Sequence, residues 1–165
     1  MTTRPQVPVT VRRAVVADSP AVTEVLCESR RQYLPYAPMA HTEDEVHEWL
    51  SEVLLPDGGV YVAESGHQAV AMLAISTKEK VGWIDHLYVR PHWTGQGIGV
   101  MLLNVAHARL KPPFRLYTFQ ANSGARRFYE RHGYQAVSFT DGHDNEEQCP
   151  DVLYEWLGAA SITSG

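Results

Sequence analysis

The sequence predicts one mixed α/β domain in which a mixed sheet is flanked by helices, in the order β-α-α-β-β-β-α-β-α-β-β. Three observations carry that expectation. The chain of 165 residues is long enough for one hydrophobic core and short for two. Apolar residues recur with a period of two in some segments and near 3.6 in others, and the two kinds are interleaved. An apolar strand also runs directly into the glycine-rich turn Thr94-Gly95-Gln96-Gly97-Ile98-Gly99, which opens an amphipathic helix.

The elements follow in order. Residues 9–13 alternate as an opening strand, and Asp18 or Ser19 is placed to cap a first helix reaching about Tyr33. Val22, Val25, Leu26 and Ser29 share one side of it, and Pro35 and Pro38 break the chain beyond. Thr42, with Glu45 three residues on, predicts a capping box for a second helix through about Leu54. Pro56-Asp57-Gly58-Gly59 reads as a turn. Residues 60–64 and 69–76 are strands joined by the hairpin signal Ser65-Gly66-His67, and a turn at 78–80 leads into a strand over 81–89.

After the glycine turn, Ile98, Met101, Leu102, Val105 and Ala106 form a helical stripe, with Asn104, His107 and Arg109 outside it. Pro112 and Pro113 close that region, and residues 116–120 form a short strand. Asn122 or Ser123 caps the next helix, which Gly133 ends. Two final strands, over 135–140 and 152–157, flank an acidic loop. The segment from Gly158 on is small and polar, as a frayed tail would be.

Glycines at 95, 97 and 99 let a backbone approach an anion closely, and the helix behind them presents bare N–H groups with partial positive charge. A dinucleotide site of the βαβ type is excluded. It needs the turn after the first strand and an acidic residue at the tip of the next, whereas this turn lies mid-chain and the next strand ends in Gln120. The second motif is Gln120-Ala121-Asn122-Ser123-Gly124-Ala125-Arg126-Arg127-Phe128-Tyr129, continuing to Tyr134. In it Ala125, Phe128, Tyr129 and His132 share one helical face.

The two motifs in this order resemble the GNAT superfamily of N-acetyltransferases. The resemblance implies residues 1–158 as the N-acetyltransferase domain and residues 159–165 as a flexible tail. It implies acetyl-CoA as co-substrate, with the pyrophosphate on the glycine turn. Leu87, Tyr88, Val89, Thr94, Gly95, Gln96, Gly97, Ile98, Gly99, Asn122, Ala125, Phe128 and Tyr129 would hold the cofactor. Thr94 stands where the family usually has Gln or Arg, which removes one side-chain contact and leaves the backbone donors. Tyr129 would meet the coenzyme A sulfur as it leaves. The Val89 N–H would be the donor to the developing oxyanion.

A base must take the proton of the attacking amine. By strand alternation Trp83, Asp85, Leu87 and Val89 lie on one face and Ile84, His86 and Tyr88 on the other. By resemblance the first face looks into the site, which puts Asp85 first. His86 comes second, because it needs a β-bulge to turn inward. A water relay is the third route. Arg90 and the outer-face arginines of the last helix are candidates for the coenzyme's phosphates, although a solvated face is the commoner role.

The loop over 141–151 carries Asp141, Asp144, Glu146, Glu147 and Asp151 with no Lys or Arg. By resemblance it borders the acceptor pocket, and Tyr33, Tyr36, Glu146 and Glu147 would contact the substrate, with His41 nearby. Such a loop favours an acceptor with positive charge. It lacks the register of a calcium loop. The reading is therefore acetyl transfer to a primary amine of a small molecule, by direct attack in a ternary complex. A protein acetyltransferase acting on a lysine or N-terminus, and a non-catalytic acyl-CoA sensor, are the alternatives.

The formal net charge of −5 disfavours a nucleic-acid surface. No apolar run has the length of a membrane span. Cys27 and Cys149 make neither a metal spacing nor a disulfide framework, so no metal and a cytoplasmic location are expected. Homodimers are common in the family, and nothing in the chain selects for or against one.

Overall fold

The computed structural model describes residues 8–37 and 39–158, so Pro38 and the tail expected over 159–165 lie outside the described residues. One seven-stranded sheet has the spatial order β1-β2-β3-β4-β5-β7-β6. Its strands are β1 (Val9–Arg13), β2 (Val60–Ser65), β3 (Gln68–Lys78), β4 (Val81–Val89), β5 (Phe114–Phe119), β6 (Gln135–Thr140) and β7 (Asp151–Trp156). The helices are α1 (Ser19–Tyr33), α2 (Glu43–Trp49), the short α3 (Leu55–Asp57), α4 (Ile98–Arg109) and α5 (Ser123–Arg131).

Residues 60–63 of β2 and 69–75 of β3 are apolar without alternation because both of their faces are covered. On one face Met72 and Ala74 meet Val22, Val25 and Leu26 of α1 and Val46 of α2. On the other, Ala71 and Leu73 meet Ile98, Leu102, Leu103 and Ala106 of α4. The capping box on α2 forms as expected. Thr42 Oγ1 accepts from the Glu45 N–H at 3.2 Å, and Glu45 Oε1 accepts from the Thr42 N–H at 2.9 Å.

Several local expectations change. Asp18 does not cap α1 with its side chain. Its carboxylate instead accepts from the Val15 N–H at 2.7 Å and pairs with Arg12 at 2.7 Å. The second helix runs on through a π-helical turn, Leu50–Leu54, into α3, so Pro56 and Asp57 lie in the helix and Gly58 ends it at φ 84°. Leu103 joins the buried face of α4. His107 is partly buried rather than outside, with its ring 4.5 Å from Trp156 and Nε2 2.8 Å from the Tyr134 hydroxyl.

Two departures from regular pairing shape the middle of the sheet. The parallel strands β4 and β5 pair only at Gly82↔Phe114 and Trp83↔Arg115, and then diverge. On the other side of β4, Ala74 pairs with His86 and Ile75 with Ile84, so Asp85 is an extra, unpaired residue. That is a β-bulge, and it breaks the strict alternation expected for this strand. Ile84, Leu87 and Val89 pack in the α4 cluster, while Tyr88 packs toward α1.

Candidate active site

The gap between the diverging strands holds a cavity of about 510 Å³. One wall is residues 84–88 of β4, the other residues 116–119 of β5, and the loop after β6 closes the end. A second cavity of about 620 Å³ runs between the N-terminus of α4 and the side of α5. Leu34, Leu87, Tyr88, Asn122, Ala125 and Tyr129 line both, so the two adjoin at this group.

The α4 end has the features an anion cradle needs. Gly95 and Gly97 sit at φ 76° and 80°, where glycine alone is comfortable, and a Cβ on either would point into open space. The first intrahelical acceptor is taken at Met101, whose N–H donates to the Gly97 carbonyl at 3.1 Å. The N–H groups of Ile98, Gly99 and Val100 therefore have no partner within the helix, and no side chain caps them. Gly99 serves a different purpose. A Cβ there would stand 3.3 Å from the Phe128 ring, so this glycine lets α4 and α5 approach closely.

Thr94 lines the groove, but its hydroxyl is turned to donate to the Pro91 carbonyl at 3.1 Å. Gln96 does not line it; its amide reaches the His92 carbonyl at 3.4 Å. Arg90 is also elsewhere. It is buried, with Nε donating to the Ala69 carbonyl at 2.8 Å and Nη1 2.6 Å from Glu28, so it pins β4 to α1. Arg131 is the one arginine that lines the groove.

The β4 backbone faces this junction. The Arg90 N–H donates to the Val70 carbonyl at 2.9 Å, which makes Ala71↔Val89 a non-hydrogen-bonded pair. The Val89 N–H and carbonyl therefore point away from β3 toward the gap, and Ser29 Oγ donates to that carbonyl at 3.2 Å. By the same register Leu87 presents its backbone to the gap.

Asp85 and His86 both line this cavity, which runs along the edge of β4 at residues 84–88. Asp85 is exposed. His86 lies between Trp49, at 5.7 Å, and Tyr88, at 6.0 Å, and burial pushes its pKa below 6.5, so the imidazole is neutral at neutral pH. Tyr129 is buried against Tyr134, and burial raises its hydroxyl pKa, so it stays protonated. Asn122 does two things at once: its Oδ1 caps α5 by accepting from the Ala125 N–H at 3.1 Å, and it lines both cavities.

Asp85, Asp141, Asp144, Glu147 and Asp151 line the gap between β4 and β5, and no Lys or Arg among the described residues lines it. The loop carboxylates are not equivalent, however. Glu147 pairs with Arg30 at 3.5 Å and Glu146 with His41 at 3.3 Å, tying the loop to the segment after α1. Asp151 accepts from the Thr140 hydroxyl and, at 3.3 Å, from the Asn145 amide. Asp141 and Asp144 pair with no cation and line the cavity, although Asp141 Oδ1 also accepts from the His143 N–H at 2.9 Å. Glu146 does not line the gap but a third cavity beside it. Tyr33 lines the α4–α5 groove rather than the gap, and Tyr36 lies outside all three cavities, with its ring edge-on to Phe119 at 6.4 Å.

Sequence reasoning missed Leu34 and Ser29, which carry no motif, and Asn145. The Asn145 amide donates to the Cys149 carbonyl at 2.6 Å and holds the loop in shape. It also missed Trp49, on a helix whose other residues apart from buried Val46 are charged or histidine, because nothing local shows what that ring meets. Among the described residues there is no cluster of His, Cys, Asp and Glu fit for a metal ion, and no helix long and apolar enough to cross a membrane.

Comparison with known proteins gives the same architecture. An acetyltransferase of Thermus thermophilus superposes with a TM-score of 0.75 at 18% identity, over 93% of this chain and all of that one. The PaiA N-acetyltransferase of Thermoplasma acidophilum, solved in complex with coenzyme A, superposes at 0.70 and 18% identity, over 92% and 99% of the two chains. An uncharacterized N-acetyltransferase of Archaeoglobus fulgidus is 34% identical over 131 residues, which is 72% of this chain and 88% of the relative. The acetyltransferase (GNAT) family matches residues 23–134, more than half of the chain and all of the glycine turn. The chain therefore belongs to the GNAT family of acetyltransferases.

Proposed function

We propose that this protein transfers the acetyl group of acetyl-CoA to the primary amine of a small molecule, by direct attack in a ternary complex. The observation that carries the reading is the junction at Leu87, Asn122 and Tyr129. There a groove with an anion cradle at its far end meets a cavity lined by carboxylates. The open space beside Gly95 and Gly97 fits a pyrophosphate, and the gap-facing backbone of Leu87 and Val89 fits an extended amide-bearing arm. Acetyl-CoA would supply an activated acyl group and a thiol leaving group.

The chain's own residues do the rest. Asp141 and Asp144 draw an alkylammonium into the gap. The amine must be neutral to attack, and His86 or Asp85 takes its proton, directly or through water. His86 is the better placed in charge state, being neutral already. The Val89 N–H faces the carbonyl oxygen as it gains charge. The Tyr129 hydroxyl, with its pKa raised well above that of a thiol near 8.5, donates a hydrogen bond to the departing sulfur and keeps its proton.

Thiol release from acetyl-CoA, measured across amines and peptide N-termini, tests the reading. Turnover with free amines and not with peptides supports it. Turnover restricted to peptides refutes it, and coenzyme binding without turnover on any acceptor makes the protein a sensor.

A further inference from the structure

Beside the carboxylate-lined gap lies the third cavity, of about 390 Å³, between α1, α2 and the loop after β6. It shares His86, Tyr88 and Glu147 with the gap, so the two spaces adjoin at the imidazole. Their chemistry differs. The third cavity has an apolar floor of Leu26, Met39 and Val46, and the Trp49 ring forms its wall. Trp49 is 37% exposed, although every other residue of α2 except Val46 is charged or histidine. An isolated exposed tryptophan would signify little. This one closes an apolar space that opens onto the candidate base.

We propose that the acceptor is an arylalkylamine without a carboxylate, its amine at Asp85 and His86 and its ring against Trp49 and Met39. The proposal rests on the small-amine reading above and deepens it. An aromatic ring suits the floor and stacks or meets edge-on with indole, and a short alkyl link carries the amine past the imidazole into the gap. A polyamine's second ammonium would have to compete for Glu45, Glu146 and Glu147, which already pair with His41 and Arg30, and it would leave the apolar floor and the indole without a matching group. An aromatic amino acid would bring its carboxylate, borne on the same carbon as the amine, beside Asp85 and Glu147, in a gap that no Lys or Arg among the described residues lines. Specificity here is thus set as much by what the rim repels as by what the floor accepts.

The test uses acetyl-CoA with phenethylamine, n-butylamine, spermidine and phenylalanine. Phenethylamine should exceed each of the others in kcat/KM by on the order of tenfold. Trp49→Ala should collapse that preference, chiefly through KM, and Trp49→Phe should restore most of it. Equal efficiencies, or a preference indifferent to Trp49→Ala, overturn the proposal. Calorimetry on the CoA-loaded protein separates it from the reading beneath. If phenethylamine binds in a Trp49-dependent way and no amine is acetylated, the ring site stands and small-amine transfer falls. If n-butylamine or spermidine is acetylated without a phenethylamine preference, small-amine transfer stands and the ring site falls.

Discussion

Replacing Gly97 by alanine probes the cofactor cradle with one methyl group. The added Cβ meets nothing within 4 Å, so no packing clash confuses the result. What remains is backbone strain, because Gly97 sits at φ 80°, where an L-residue costs about 1–2 kcal/mol. For a domain of this size each kcal/mol lowers Tm by roughly 2–4 °C, so a fall of roughly 2–8 °C is expected. Gly66, in the β2–β3 hairpin, is a matched control: it has φ 65°, equally open surroundings, and no part in the three cavities. Gly66→Ala should lower Tm by a similar amount and leave coenzyme A affinity alone. Gly97→Ala should weaken that affinity by a further factor of about ten, or about 1.4 kcal/mol, as the methyl fills the space a phosphate would occupy. Calorimetric titration of both folded variants decides the matter. Equal coenzyme A affinity in the two would refute the cradle.

Three other outcomes are expected. Tyr129→Phe should slow turnover by about 10²–10³-fold at saturating amine with an unchanged melting curve, since only a hydrogen-bond donor to the departing sulfur is lost; wild-type turnover would reduce Tyr129 to packing. Burial holds His86 below 6.5 in the folded chain, so the unfolded chain binds a proton the native state resists. Its contribution to stability is therefore complete above about pH 6.5 and declines as pH falls below it, and urea midpoints from pH 5 to 7.5 should drop less steeply in His86→Gln. Asp141→Asn with Asp144→Asn should raise KM for amines more than it lowers kcat, and should flatten the salt dependence of kcat/KM, because exposed charges act over roughly 8 Å at physiological salt.

Much of the fold was legible because period and punctuation agree along the chain. The strands β1, β4 and β6 have the expected limits, and Thr42 and Asn122 cap the helices they were expected to cap. What escaped depends on partners distant in sequence. The carboxylate of Asp18 is claimed by Arg12 and by the Val15 N–H, so a good capping residue caps a different turn. The acidic loop read as five equivalent charges, because Arg30 lies 117 residues before the Glu147 it pairs with. The glycine turn and the α5 motif were readable because each is local, and the structure brings both to one groove. The wall formed by Trp49 was not, because it takes shape only where α2 meets β4.

The bulge and the splay belong to one arrangement. At the narrow end, Gly82 has no side chain to hold β4 and β5 apart: a Cβ would stand 3.0 Å from the Phe114 ring and 3.1 Å from Leu110. The strands meet there, and Trp83 stacks on Tyr117 at 5.8 Å across the closed end. Past that point β5 turns to its antiparallel partner β7, while β4 stays with β3. The inner edge of β4 is then unpaired, and exposed strand edges are ordinarily hazardous. Here the edge carries the extra residue Asp85 beside His86, and the backbone of Leu87 and Val89 beyond it. In the proposed reading, this unpaired length of strand, with the candidate base at one end and a helix N-terminus at the other, pairs with the coenzyme's extended amide arm as a strand would. The local faults in pairing are thus what give an ordinary sheet a place for acyl transfer.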